Sequence, residues 1–246
     1  MLPNIRIVLV QTFHPGNIGA SARAMKTMGL TDLVLVNPRR FPDPDATRLA
    51  AGAEDLVERA RVVATLEEAV GDCVQVVGAS ARLRSLPLPH FDEPDTMARA
   101  LVEHAAADPV ALVFGRERFG LTNDEIRLCS HQVSIPANPE YGILNLAQAV
   151  QVLGYELFKA WRHRPESGYH PLRPEQERAP SREQLGHFHD HLARVMRHSG
   201  FLTQPHAQTE AQLQALFARA EPSRKELSLL RGLLASLERH LPEGKR

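Results

Sequence analysis

In the first 161 residues, short apolar runs rich in β-branched side chains alternate with stretches whose apolar positions recur at helical spacing. The runs cover residues 5–10, 33–36, 74–77, 110–114 and 133–135. Strands alternating with helices build a mostly parallel sheet covered on both faces, so the expected class is α/β. The stretch 145–161 carries apolar residues at 146, 147, 149, 150, 152, 153, 155, 157, 158 and 161, which wraps most of a helix circumference. Such a helix needs cover on more than one side. A domain of this size encloses few helices completely, which favours a second copy of the chain as the cover and hence a homodimer.

The pattern changes after Trp161. Residues 162–180, RHRPESGYHPLRPEQERAP, are rich in proline and charge and read as a linker. Beyond it, Ser181 with Gln184, Thr209 with Gln212 and Ser223 with Glu226 match capping boxes, in which side chains satisfy the free N–H groups of a helix start. Apolar stripes follow: Leu185, Phe188, Leu192, Val195 and Met196 in one segment, Leu230, Leu233, Leu234, Leu237 and Leu241 in another. The expected organisation is a sheet-containing body over 1–161, a linker over 162–180 and a small all-α extension over 181–246.

Composition adds bounds. With 246 residues, 43% hydrophobic and 24% charged, the chain has ordinary globular chemistry. Cys73 and Cys129 are too far apart for a metal knuckle and too few for a disulfide framework, so a reducing cytoplasm is expected. The run 5–10 lacks a basic leader, and no stretch approaches about 18 apolar residues, which argues against secretion and membrane spanning. Net charge is zero overall, but −4 over residues 1–161 and +4 over 162–246, where eight of the twelve histidines also fall. A basic, histidine-rich tail hints at a polyanionic partner, although a solvated helical surface gives the same count. His187 and His191 share a helical face near Asp190, yet a solvated basic face is the simpler reading, and no metal is expected. Tyr169 and His170 in the linker could stack on bases.

Two stretches imitate phosphate-binding motifs. GNIGAS offers Gly16 and Gly19 but not G-x-G-x-x-G, and Asn37, Pro38, Arg39 and Arg40 stand where a dinucleotide fold has an acidic residue. GRERFGLT, residues 115–122, has the glycine frame of a P-loop but Leu121 in place of its lysine. Three polar clusters remain, each after an expected strand or at a helix start. They are Asn17 with Arg23, where Asn17 reads as the N-cap of a helix beginning near Ile18; Gly115 to Arg118, ahead of the capped start at Thr122; and YGILNL, where Gly142 permits close backbone approach and Asn145 opens the all-round apolar helix. A plain cap or a surface ion pair explains each cluster taken singly.

Together the segments HPGNIGASARAMKTMGL, LVFGRERFGLTNDE and PANPEYGILNLAQAVQV resemble, in wording and order, the three signature motifs of SPOUT-class RNA 2′-O-methyltransferases. The resemblance runs over residues 5–161, and the stretch ending LSLLRGLLASLERH is similar to the helical extension of tRNA-modifying members. It implies a mostly parallel α/β sheet with a C-terminal trefoil knot, a homodimer with its last catalytic-domain helix at the interface, and S-adenosyl-L-methionine bound mainly through backbone groups. By motif position, Ala79, Ser80, Ala81, Gly115, Ile135, Gly142, Ile143 and Leu144 would form the cofactor pocket. Ile143 stands where many relatives carry serine, so any role of that hydroxyl passes to another group. Arg23 would be the central catalytic residue, with Asn17 fixing the ribose, Glu117 orienting neighbouring arginines and Asn145 holding the pocket turn. A guanidinium keeps its proton to roughly pH 12, which favours Arg23 as an electrostatic clamp rather than a base. The implied substrate is tRNA, at the ribose of cytidine or uridine 32 in the anticodon loop. The alternatives are a non-catalytic RNA-binding homologue or a methyltransferase acting on another RNA.

Overall fold

The computed structural model describes residues 2, 4–81, 88–164, 174–202 and 207–241. Its chain divides into two compact units, Met1–His170 and Pro171–Arg246. Tyr169 and His170 lie outside the described residues.

In the first unit β1 (Ile5–Val10) leads into α1 (Pro15–Thr27), β2 (Asp32–Val36), α2 (Pro44–Ala50), α3 (Glu54–Glu58), β3 (Arg61–Val63), α4 (Leu66–Val70) and β4 (Gln75–Ala79). Then come β5 (His90–Phe91), α5 (Pro94–His104), β6 (Val110–Phe114), α6 (Asn123–Arg127), β7 (His131–Val133) and α7 (Leu146–Arg162). The seven strands form one parallel sheet in the order β3-β2-β1-β6-β4-β7-β5, so the α/β expectation holds. All residues of β1 and β6 are buried, as central strands covered on both faces require. The chain leaves β1 toward β2 and leaves β6 toward β7, in opposite directions. Because β1 and β6 are neighbours, their following loops part above the sheet, where open parallel sheets place their binding crevices.

Several local expectations are corrected. The strand expected at 133–135 lies at His131–Val133: Ser80 N–H already meets the Val133 carbonyl at 3.0 Å, and Ile135 runs off the sheet toward Pro136. The strands β3 and β5, three and two residues long at the sheet edges, carry too little pattern to be read. Helix α1 starts at Pro15, with His14 rather than Asn17 at the N-cap. Proline suits the first helical position because its missing N–H would have no helical partner there. Asn17 therefore sits inside the first turn with its side chain released from capping.

The far end of the sheet is fastened by Arg6, the one charge in the run 5–10. Its guanidinium donates to Asp32 at 2.9 Å, to Asp72 at 2.6 and 3.1 Å and to the Ala69 carbonyl at 2.7 Å. Burial opposes ionisation of Asp72, but the Arg6 hydrogen bonds and charge outweigh it and hold the carboxyl below its usual range. Cys73 beside it is buried and its thiol is pushed up to about 12, so it is an inert core group.

In the second unit, α8 (Arg182–His198) and α10 (Arg224–His240) carry the capping boxes expected at Ser181 and Ser223. The box expected at Thr209 is absent, because α9 (Ala207–Ala220) begins two residues earlier. Phe188, Val195, Leu227 and Leu234 form the core, with Leu185, Leu192, Phe217, Leu230 and Leu241 against it. Leu233 and Leu237 of the expected stripe are exposed instead. His191 bonds Glu238 at 3.2 Å, and burial lowers His189 to about 4, leaving it neutral. Among the described residues no group of three or more His, Cys, Asp or Glu could hold a metal ion, and no helix is long and apolar enough to cross a membrane.

Gly19 owes its place to packing. A Cβ there would lie 2.0 Å from the Ala46 carbonyl oxygen and 2.8 Å from the Ala50 nitrogen, so glycine lets α1 and α2 touch backbone to backbone. Gly19→Ala is expected to lower unfolding stability by about 1–3 kcal/mol, read as a lower urea midpoint at unchanged slope.

Candidate active site

The crevice is built by two loops and one helix start. After β1, Gln11 adopts a left-handed backbone, φ 48°, a conformation costly for any residue with a Cβ. Its N–H donates to the Val36 carbonyl at 2.8 Å and its Oε1 accepts from Arg116 Nε at 2.9 Å. After β6 the chain doubles back: Arg116 and Gly120 exchange backbone hydrogen bonds of 3.2 and 2.8 Å. A Cβ on Gly115 would lie 2.1 Å from the Gly120 carbonyl carbon, so this turn needs glycine at 115. The turn presents Glu117 toward the loop after β1.

Glu117 gathers four donors. Phe13 N–H reaches its carboxylate at 3.0 Å, His14 N–H at 3.1 Å and Asn17 Nδ2 at 2.9 Å, while its own N–H is the fourth donor and the third from the backbone. Partial burial pushes the carboxyl upward, but the hydrogen bonds from Asn17 and the backbone overcome it and leave Glu117 below the usual carboxylate range. Asn17 Oδ1 in turn accepts from Asn145 Nδ2 at 3.1 Å. Asn145 caps α7 by accepting from Ala147 N–H at 2.9 Å, and Gln148 reaches back to the Asn145 N–H at 3.0 Å. Glu117, Asn17 and Asn145 thus form one hydrogen-bonded chain across the three separated motifs.

The expected link from Glu117 to neighbouring arginines is corrected. Arg116 is held instead by Glu125, at 2.9 and 2.8 Å, and by Gln11. Glu125 also accepts from Thr122 N–H at 2.7 Å in the capping box of α6, so one carboxylate fixes both helix start and arginine. Glu125 and Gln11 escaped the sequence reading. Glu125 carries only a helix-start signal, and a left-handed glutamine has none.

Arg23 lies six residues past Asn17 along α1, exposed, at a cavity of about 660 Å³ between α1 and α7. Ala20, Ala24, Leu144, Ala147 and Gln148 line the cavity with it. Among the described residues its guanidinium makes no hydrogen bond to Asn17, Glu117 or Asn145, so the structure brings three of the four expected catalytic residues into contact and sets the fourth beside them.

The residues assigned to a cofactor fall in two groups. Ala79, Ser80, Gly115 and Ile135 lie at or just beyond the ends of the adjacent strands β4, β6 and β7, with Ala81 exposed next to them. Gly142, Ile143 and Leu144 follow a compact turn in which Tyr141 N–H donates to the Asn138 carbonyl at 3.0 Å; a Cβ on Gly142 would sit 2.9 Å from that oxygen. Ile143 is 71% exposed and Tyr141 86%. Among the described residues, no backbone partner is found for the N–H groups of Gly142, Ile143 and Leu144. The combined set is neutral, small or apolar, and rich in backbone donors, which suits a nucleoside-bearing ligand without phosphates.

Comparison with known proteins follows the same division. The SpoU rRNA methylase family model matches residues 4–155, and the model for the C-terminal domain of the tRNA methyltransferase TrmJ matches residues 183–246. The chain is 51% identical over 243 residues to the tRNA (cytidine/uridine-2′-O-)-methyltransferase TrmJ of Yersinia pestis (strain Pestoides F), covering 97% of this chain and 93% of the relative. The crystal structure of TrmJ from Z. mobilis ZM4 superposes with a TM-score of 0.80 at 34% identity, covering 95% of this chain and 98% of that one. A probable methylase family protein from Haemophilus influenzae Rd KW20 gives a TM-score of 0.63 at 44% identity, with 97% of each chain covered.

Glu117→Gln keeps the shape but removes the charge that the Phe13 and His14 N–H groups meet. At neutral pH it is expected to cost about 1 kcal/mol, the site being half open to solvent. A carboxylate whose folded pKa is depressed adds stability above its unfolded pKa and loses it as pH falls through the folded value. The gap between wild type and variant in urea unfolding is therefore expected to close on acidification below about pH 4.

Proposed function

The chain belongs to the SpoU rRNA methylase family and carries a TrmJ-type C-terminal domain, and from that premise we propose that it carries out S-adenosylmethionine-dependent 2′-O-methylation of cytidine and uridine in tRNA, with position 32 of the anticodon loop as its target. The observation that carries this reading is the contact chain Glu117–Asn17–Asn145, which joins three motifs at the switch between β1 and β6 with Arg23 beside it.

Family members use S-adenosylmethionine, which supplies an electrophilic methyl group on a sulfonium when bound. The strand-end residues Ala79, Ser80, Ala81, Gly115 and Ile135, with Gly142, Ile143 and Leu144, would hold it, and their neutral, backbone-rich character fits a cofactor recognised through its adenosine and methionine parts. The protein's remaining task is to present a weakly acidic ribose 2′-OH in line and to stabilise the charge that develops on its oxygen. Arg23, a fixed cation at the cavity mouth, clamps the neighbouring phosphate and stabilises the developing alkoxide. Asn17 keeps one amide hydrogen and one acceptor lone pair beyond its two bonds, enough to hold a ribose hydroxyl. Glu117 fixes Asn17, and Asn145 fixes both Asn17 and the start of α7.

The exposed Val152 and Tyr155 on α7, beside the cavity that holds Arg23, support a homodimer packed through α1 and α7. The segment between β7 and α7 would be threaded as the family's trefoil knot, an exception to the usual avoidance of knots. The body 1–161 would perform the chemistry in the cytoplasm, with no metal ion, while the basic extension 181–246, joined by the linker 162–180, grips the tRNA body.

Two outcomes follow. Arg23→Ala should bind S-adenosylmethionine as wild type does by calorimetry while methylation of tRNA, followed by mass spectrometry of its nucleosides, collapses. Removal of residues 162–246 should weaken tRNA binding far more than cofactor binding, and the wild-type affinity for tRNA should fall as salt rises.

A further inference from the structure

The stretch NPRR, residues 37–40, has no role in the reading above. Asn37 takes a left-handed backbone, φ 43°, and donates its N–H to the Val63 carbonyl at 2.9 Å. Two residues on, Arg39 N–H donates to the Thr12 carbonyl at 3.1 Å, tying this loop to the one after β1. There the two arginines diverge. Arg40 pairs with Asp43 at 2.8 Å. Among the described residues the Arg39 guanidinium has no carboxylate partner, and it lies over the Phe13 ring, 4.3 Å from its centroid. His14 packs edge-on against the same ring at 4.8 Å.

Phe13 is 47% exposed. A single exposed aromatic is ordinary on a protein surface, so exposure alone decides nothing. What is unusual is the mounting. The Phe13 and His14 N–H groups both end on the Glu117 carboxylate that holds Asn17, so ring and guanidinium stand one carboxylate away from the Asn17–Asn145 contact. A planar cation lying over a phenyl ring, with no carboxylate paired to it among the described residues, offers what an unstacked nucleobase needs: a continuing π-stack and in-plane N–H donors for the backbone.

We propose that Phe13 and Arg39 form a stacking platform for a base of the RNA substrate next to the target nucleotide, and so help decide which RNA is accepted; this rests on the RNA-methylating reading above. The base lies on the outer face of the Arg39 guanidinium and extends the cation–phenyl stack, while the guanidinium edge meets phosphate. Arg39 and Phe13 act in substrate selection and not in the chemical step.

The test is tRNA binding by anisotropy and steady-state methylation kinetics for full-length Arg39→Gln, Arg39→Lys, Phe13→Leu and Phe13→Trp. Arg39→Gln and Phe13→Leu should raise Kd and KM for tRNA by roughly 5- to 100-fold with kcat and cofactor affinity retained. Arg39→Lys, which keeps the charge but loses the plane, should remain impaired, and Phe13→Trp should bind as wild type. The salt dependence of binding should become shallower by about one phosphate contact in Arg39→Gln alone. Wild-type KM in both Arg39→Gln and Phe13→Leu would overturn the proposal, as would full activity of Arg39→Lys, which reduces the contact to charge. A fall in kcat with Kd intact would also overturn it, by showing that the pair only props the Glu117 loop. A wild-type protein that neither binds nor methylates tRNA would sink the underlying reading before any variant is made.

Discussion

One carboxylate holds the crevice together. Glu117 projects from a doubled-back turn and receives two backbone N–H groups and one side-chain amide from the opposite loop. Without an acceptor, the Phe13 and His14 N–H groups at the start of α1 would face each other's positive ends and the open end of a helix. With it, the loops after β1 and β6 become one surface, and Asn17 is turned toward Asn145 rather than used as a cap. The Asn17–Asn145 contact, the α7 cap and the Phe13 ring are all placed relative to that point.

The second constraint is close backbone approach. Gly115 and Gly19 look alike in the sequence, as parts of glycine motifs that suggest phosphate binding, yet they do different work. Gly115 lets a turn fold back on its own strand end, while Gly19 lets two helices meet without side chains between them. Neither needs a phosphate. The same frugality marks the ends of β4 and β6, where Ala79, Ser80 and Gly115 are small and neutral.

The central strands β1 and β6, the helix α7 and the capped starts at Thr122, Ser181 and Ser223 were legible because each rests on local pattern: a buried apolar run, a periodic stripe, a reciprocal cap. The edge strands β3 and β5 were not, since pairing with a neighbour defines them and their two or three residues carry no period. At the site, motif order identified Asn17, Arg23, Glu117 and Asn145 as a set. It did not reveal that Glu117 serves main-chain donors while Glu125 serves Arg116, because two glutamates eight residues apart in one polar loop look equivalent until the turn is folded. In the sequence Arg39 stands out only as the wrong residue for a dinucleotide fold. Its ring partner belongs to a different loop, and the proximity of Phe13 is a product of sheet order.

The contacts that close the crevice join residues far apart along the chain: Glu117 is 100 positions from Asn17, and Asn145 is 128. A ribosome releases Asn17 and Arg23 first, Glu117 later and Asn145 last, so the cluster can be completed only after every strand of the sheet has been made. The last strand, β7, ends at Val133, ahead of Asn145, so the crevice closes only on a finished sheet.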